Sequence, residues 1–469
     1  MKSILLSVFL SLVALVAFAQ DGYRIEVEIK DSEAKEIYLA YHMGSKQFLT
    51  DTAKIENGKF VFKGEEELKG GIYLVAVPPK NTYFELLIDE KDQHFQVKTD
   101  TANLSGNVEI SGSPNNEKFY GYIGFLGKQR IKASEMQQEM QNPDLEEDKM
   151  EGLEESLKEL NEKVRKFQSD LIAEDGGNAF VSKMIKANQE VEIPEPPTNE
   201  DGSIDSTFRY KYYKAHYFDN LPLSDGRFLR TPLLERRIDS YMKKMVSPLP
   251  DSVIKESDYL LSIATDETVY QYVLSKLLND YAKSKIMGYD AVYVHLATNY
   301  YGKGKADWVD EEQLLKIVDN ARKLEPLLIG KKAPNLILNT LAGKPANLYN
   351  MSSKFTAVYF WDPDCGNCSK MSVALVDVYK DYKDKGFEIY GICNKTYEEL
   401  EKCKEKETDK NMSWINTADP YGQGLAHSKY YIRANPTIFL LDKNKVIRYK
   451  RIDAEQLRDI LERELDGKK

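Results

Sequence analysis

Phe355-Thr356-Ala357-Val358-Tyr359-Phe360-Trp361 is a nearly continuous apolar run, and Cys365-Gly366-Asn367-Cys368 follows shortly after it. A run apolar on both alternating faces fits a strand in the middle of a sheet, covered on both sides. Behind the cysteines, Met371, Leu375, Val378 and Tyr382 recur at helical spacing, and Gly386 suits the end of that helix. The chain therefore turns from a buried strand into a helix with two thiols at the turn. That placement suits thiol–disulfide exchange. The helix N-terminus favours a thiolate on the first cysteine, and the second is near enough to attack a mixed disulfide formed on the first. Further on, Asn435-Pro436-Thr437 leads into another apolar strand, Ile438-Phe439-Leu440-Leu441.

At 469 residues the chain is too long for one ordinary domain, and three is a reasonable expectation. Its net charge of −10 excludes a general nucleic-acid binder, which needs a basic surface. Residues 1–19 read as an export signal: Lys2, an apolar stretch from Ile4 to Phe18, then Ala17-Phe18-Ala19 for cleavage before Gln20. That stretch is shorter than the roughly 20 residues of a spanning helix, and no second long apolar stretch follows. The expectation is an exported protein, soluble in the periplasm or cell envelope after cleavage. Four cysteines are too few for a disulfide scaffold, so thiols in such a compartment point to chemistry.

Three composition regimes follow the leader. Residues 20–113 alternate in short strands: Tyr23–Ile29, Ile37–Tyr41, Phe60–Phe62 after the hairpin signal Asn57-Gly58, Ile72–Val77, Phe84–Ile88 and Phe95–Val97. They imply a small antiparallel sandwich or barrel. Residues 114–328 turn helical. Leu153, Leu157, Leu160, Val164, Phe167 and Leu171 form one apolar stripe for a neighbouring helix, and 191–203 reads as an extended linker. The aromatics of 208–218 read as a helix core face, with further helices over 257–287 and 310–324. Residues 329–469 alternate strands and helices, and Asp453-Ala454-Glu455-Gln456 is a capping box for the last helix. The fold class is thus an N-terminal antiparallel β domain, a central α-helical domain and a C-terminal α/β domain. His42, His94, His216 and His295 have no partners at metal spacing, and Cys393 and Cys403 lack the spacing of a zinc pair. No metal or cofactor is expected. Cys393 and Cys403 read first as two ordinary buried or partly buried thiols, with a second disulfide the alternative if their Cα atoms come within about 7 Å.

The C-terminal region resembles the thioredoxin-like domain of exported bacterial thiol:disulfide oxidoreductases, the TlpA/ResA group. Gly330-Lys331-Lys332-Ala333-Pro334 is similar to that group's opening motif, and Phe360-Trp361 with Cys365-Gly366-Asn367-Cys368 to its redox motif. Asn435-Pro436-Thr437 is similar to its cis-proline loop, and Leu441-Asp442-Lys443-Asn444 to its final hairpin. The resemblance implies catalytic Cys365 and Cys368, with Pro436, Asn435 and Trp361 positioning the substrate. It implies disulfide-containing protein or peptide clients and a membrane thiol-transfer protein as reductant. The preceding regions resemble DUF4369, through Asp51-Thr52-Ala53, Asn57-Gly58-Lys59-Phe60, Gly71-Ile72-Tyr73 and Ser111-Gly112-Ser113, and the helical DUF5106. Neither brings an activity.

The chain departs from that pattern at the acids. Where relatives bury an acid before the Trp this chain has Tyr359, and where they carry a Glu after the second cysteine it has Met371. Asp362 and Asp364 are then the candidates for proton transfer, with His427 a further one. The two acids also oppose a thiolate on Cys365, against the helix N-terminus. Two other readings stand beside exchange. One is an envelope binding or structural protein with a vestigial redox site. The other is a peroxiredoxin-like peroxidase, whose Pro-x-x-x-Thr/Ser-x-x-Cys motif fails here at Val358 and Asp362.

Overall fold

The computed structural model describes residues 22–79, 82–89, 91–198 and 201–467. The expected export signal lies outside them. The chain forms two compact units: residues through Met245 with Ser262–Tyr270, and Val246–Leu261 with the chain from Gln271 onward.

The first unit begins with strands β1 (Tyr23–Lys30), β2 (Glu36–Met43), β3 (Lys46–Glu56), β4 (Lys59–Gly64), β5 (Gly71–Val77), β6 (Thr82–Ile88), β7 (His94–Asp100) and β8 (Glu109–Ser111). They form one sheet in the order β6-β5-β2-β3-β4-β1-β7-β8. Alternation in β1 buries Ile25, Val27 and Ile29, and these join Leu39, Phe62, Val75 and Leu86 in a single core. Asn57 and Gly58 both take positive φ, 53° and 78°, as a two-residue hairpin turn requires. The sheet is not wholly antiparallel as expected, because β1 pairs in parallel with β7. A parallel pair needs a long crossover, and β2 to β6 supply it. The sequence reading also passed over β3, whose residues are almost all exposed and show no apolar alternation.

Helices follow: α1 (Pro114–Met140), α2 (Glu147–Ala173), α3 (Phe180–Ala187), α4 (Phe208–Ala215) and α5 (Leu233–Lys244). Ser113 caps α1 by accepting the Asn116 N–H at 3.2 Å, satisfying one of the donors a helix start leaves free. The apolar stripe of α2 packs on α1, with Phe125 stacked on Phe167 at 3.9 Å. Of the aromatic run, Tyr217 and Phe218 are buried against Tyr241, at 5.2 and 5.0 Å between ring centroids.

Four more helices come next: α6 (Pro250–Ile263), α7 (Glu267–Lys283), α8 (Asp290–Asn299) and α9 (Glu311–Leu324). The α/β region then runs β9 (Ile337–Thr340), β10 (Pro345–Asn347), β11 (Phe355–Trp361), α10 (Gly366–Tyr382), β12 (Phe387–Cys393), α11 (Leu400–Asp409), β13 (Ile415–Ala418), α12 (Ala426–Lys429), β14 (Thr437–Asp442), β15 (Ile447–Lys450) and α13 (Ala454–Leu465). Its sheet has the order β10-β9-β13-β12-β11-β14-β15. The apolar run is its central strand, β11, parallel to β12 and antiparallel to β14. Tyr359 and Trp361 face one core with Cys368 and Leu457, while Val358 and Phe360 face another with Leu327 and Tyr430. Asp453 and Gln456 form the expected capping box of α13.

The reading of Cys393 and Cys403 as separate thiols is corrected. They form a disulfide with Cα atoms 6.3 Å apart, because α11 folds back over the end of β12. Both half-cystines are buried. Replacing both by Ala removes the closure of a ten-residue separation. The expected loss is about 2–3 kcal/mol by denaturant titration.

Lys450 is buried, and its ammonium pairs with Asp290 at the start of α8 while donating to the Leu327 carbonyl at 2.6 Å. Burial lowers the Lys450 pKa from its ordinary value despite the pull of Asp290, so the pair does not recover its full desolvation cost. Asp290→Ala, which strands the ammonium, is expected to cost about 3 kcal/mol. The double change Lys450→Met/Asp290→Leu is expected to return to near wild-type stability. Equilibrium urea unfolding of the full chain measures both.

Candidate active site

Parallel pairing carries β11 and β12 in full register from Phe355 opposite Phe387 to Trp361 opposite Cys393. Loops leaving the C-terminal ends of parallel strands gather at one edge of a sheet. There the chain turns at Asp362-Pro363-Asp364 and enters α10. Cys365 is the N-cap residue of α10, with extended backbone at φ −91°, ψ 116°. Its sulfur accepts the Cys368 N–H at 3.2 Å, the position a Ser or Asp oxygen takes in an ordinary cap. The sulfur thus lies at the positive end of the helix. Cys365 is half-buried, Cys368 is buried, and both are free thiols. Burial, followed by the hydrogen bond with Cys365, pushes the Cys368 thiol up to about 12.

From the other side comes the loop before β14. The Asn435–Pro436 bond is cis, and the Cys365 thiol reaches the Asn435 carbonyl oxygen at 3.7 Å. Asn435, Pro436 and the two cysteines are therefore brought together. Trp361 is also present but buried, 1% exposed, beneath the pair in the same core as Cys368. Its Nε1 and the Asn435 Oδ1 have no hydrogen-bond partner among the described residues.

The acids flanking Cys365 do not stand as bare charges. Lys395 pairs with Asp362 at 3.1 Å and with Asp364 at 2.8 Å, and Lys402 of α11 reaches Asp364 at 3.2 Å. The Lys395 contact, with that of Lys402, holds the Asp364 carboxyl below its usual range. Each acid expected to oppose a thiolate is thus paired with a lysine, while the charge of Asp362 still reaches the Cys368 thiol. Sequence reading missed Lys395. The signal was available once β11 and β12 were paired, because residues just past Trp361 and just past Cys393 then lie side by side.

Tyr359 occupies the place of the missing acid. Its buried hydroxyl lies 3.2 Å from the Cys368 carbonyl oxygen and 3.0 Å from Ser372 Oγ. Burial raises its pKa, so it serves as a neutral hydroxyl, not a carboxylate substitute. His427 is not gathered into the site. It packs edge-on to Phe360 at 5.4 Å, and Phe360 faces the core opposite the one holding Cys368. Burial lowers the His427 pKa from its ordinary value, against the attraction of Asp419 and Asp362. Among the described residues no cluster of potential metal ligands occurs and no helix is long and apolar enough to cross a membrane.

Comparison with known proteins divides the chain in three. Residues 23–119 match a domain of unknown function (DUF4369), residues 146–325 another (DUF5106), and residues 329–450 the AhpC/TSA family. The chain is 32% identical over 141 residues to the thiol-disulfide oxidoreductase ResA of Bacillus thuringiensis subsp. konkukian, covering 30% of this chain and 78% of that protein. It is 28% identical over 144 residues to the thiol:disulfide interchange protein DsbE of Vibrio cholerae, covering 29% and 70%. Among solved structures, a thioredoxin-like protein from Bacteroides caccae is 18% identical, with a TM-score of 0.44 over 58% of this chain and 98% of that one. A domain of a possible thiol-disulfide isomerase from Cytophaga hutchinsonii is 35% identical, with a TM-score of 0.28 over 30% and 99%.

The two thiols should separate by reactivity. With a pKa pushed up to about 12, Cys368 is protonated at neutral pH and gains its thiolate only in strong alkali. A thiol reacts as its thiolate. Iodoacetamide at pH 7–8 should label Cys365 and leave Cys368 unmodified, as peptide mapping would show. In Cys365→Ser, labelling of Cys368 should remain slow and climb with pH through at least pH 10. Rapid labelling of Cys368 at pH 7 would contradict this account.

Proposed function

This chain belongs to the ResA-type family of thiol-disulfide oxidoreductases, and we propose that Cys365 and Cys368 carry out the exchange on exported protein or peptide clients in the cell envelope. One observation carries this reading. The Cys365 sulfur caps α10, is half-buried, and lies beside the Asn435 carbonyl at the cis-proline loop. Such a sulfur sits at a helix N-terminus and is reachable from solvent.

In the reducing direction the Cys365 thiolate attacks one sulfur of a client disulfide. A Cys365–client disulfide forms, and the other client sulfur leaves as a thiolate and takes up a proton. Cys368 then loses its proton and attacks the Cys365 sulfur. The Cys365–Cys368 disulfide forms and the second client thiolate leaves. The client gains two electrons and two protons, and the enzyme dithiol loses them. A dithiol donor, in this reading a membrane thiol-transfer protein, restores the enzyme by the reverse sequence. Asp362 is the proton acceptor for Cys368 in this scheme, its charge being felt at that thiol. Asp364, held between Lys395 and Lys402, helps position the turn. Pro436 and Asn435 present backbone to an extended client, and Trp361 closes the floor beneath the pair.

The wild-type chain with a reductant should reduce insulin disulfides. Cys365→Ser should lose at least about a hundredfold of that rate, the scale expected when a nucleophile is removed. Cys368→Ser should accumulate mixed disulfides with clients, visible as reductant-sensitive bands on gels. An enzyme that reduces no disulfide, and a Cys368→Ser variant that traps nothing, would point instead to a vestigial site.

A further inference from the structure

The face that a client must approach is not bounded by the thioredoxin-like elements alone. Met371 of α10, Pro436 and Thr437 form one side of a cleft of about 700 Å³. Ile286 and Met287, in the chain between α7 and α8, line the same cleft with Asn320 and Leu324 of α9. A volume of this size is that of a binding pocket rather than a packing defect. Its outer wall leaves Ile286 57% and Met287 40% exposed. Apolar side chains held open to solvent in a cleft that the cis-proline loop also lines point to a surface that a partner covers.

The cleft is also charged. Lys285, Arg433, Lys450 and Arg451 line it, against Asp290 and Asp453. Both acids are already engaged: Asp290 pairs with Lys450, and the Asp453 carboxylate accepts the Gln456 N–H at 2.8 Å. Lys285, Arg433 and Arg451 have no ion-pair partner among the described residues. Arg433 is nonetheless held in place. It donates to Asn320 Oδ1 at 3.0 Å and lies over the Tyr431 ring at 4.4 Å, while the Tyr431 hydroxyl donates to the same Asn320 oxygen. A fixed cation without a counter-charge, three residues before Pro436, is positioned for an anion on whatever the cis-proline loop holds.

We propose that this cleft seats the client chain next to its reactive cysteine, and that the segment it takes is extended and carries an acidic and an apolar residue flanking that cysteine. The acid meets Arg433 and Arg451, and the apolar side chain lies between Met371 and the Ile286–Met287 wall. This proposal rests on Cys365 being the attacking thiol and names the client class that thiol serves. It assigns to the helical segment before the α/β region a role in selecting clients.

The test uses the full-length reduced chain and three oxidised probes. One is a short peptide disulfide with Asp and Leu beside the cysteine, one has Lys and Leu there, and one is 2-hydroxyethyl disulfide, which is small and neutral. Rates are read by acid quench and mass spectrometry. Relative to hydroxyethyl disulfide, the Asp peptide should react about tenfold faster than the Lys peptide at low ionic strength, the scale of two modest charge contacts. That ratio should shrink as salt is added. Arg433→Glu/Arg451→Glu should bring it to about one or invert it, and Ile286→Asp should lower it as well. A Cys→Ser version of the Asp peptide should bind the wild-type chain more tightly than that double variant, by fluorescence anisotropy. Equal rates for the two peptides with wild type, or a ratio unmoved by charge reversal, would overturn the proposal while leaving exchange at Cys365 standing. Failure with hydroxyethyl disulfide as well would overturn the reading of Cys365 and this proposal together.

Discussion

The in-register parallel pairing of β11 with β12 is the contact on which the site depends. It brings the end of one strand, where Cys365 begins its helix, beside the end of the other, where Lys395 follows Cys393. The antiparallel pairing of β11 with β14 adds the third component, because β14 starts at Thr437 and so places the cis-proline loop beside the same end. A slip of one residue in the first pairing would turn every side chain of β11 to the other face. Tyr359 and Trp361 would leave the core they share with Cys368, and Phe360 would enter it. The continuous apolar character of β11 tolerates burial on both faces. The specific register is held by the neighbours on each side.

Electrostatics at the site balance locally. Two carboxylates precede the first cysteine, an arrangement hostile to a thiolate if read along the chain alone. Lys395 and Lys402 pair with them, so neither carboxylate stands as a bare charge beside the sulfur. The second thiol is treated in the opposite way. Enclosed by its core and hydrogen-bonded to Cys365, it is held as a protonated thiol at neutral pH. Position along one helical turn thus separates a half-buried sulfur from a buried one.

Much of this was legible in the sequence where local chemistry decides. Asn57-Gly58 marked its hairpin because only a two-residue turn with positive φ suits it. The stripe from Leu153 to Leu171 marked α2, and Asp453 with Gln456 marked the start of α13. What was not legible depends on contacts distant in the chain. The parallel partner of β1 is β7, reached only after five intervening strands. β3 has no apolar face to announce it. The Cys393–Cys403 bond follows from α11 folding back over β12, and Lys395 matters only through its neighbour across a strand pair. The motif marked the cysteines, Asn435 and Pro436, which the structure brings together, while nothing in the motif marked the lysines paired with the flanking acids.

The bond between Cys393 and Cys403 has one more implication. It shares a core with Cys368 and lies next to the strand that carries the redox turn. A member of a thiol-disulfide oxidoreductase family thus carries a closed disulfide and two free thiols within the same small domain. Cys393 is 1% exposed and Cys403 0%, so no sulfur from a second copy can line up with that bond while the core is closed. Exchange requires an approach along the sulfur–sulfur axis, and burial denies it. The chain is therefore shielded from its own reaction by access alone. Wherever many copies meet, that shielding keeps the Cys393–Cys403 bond shut.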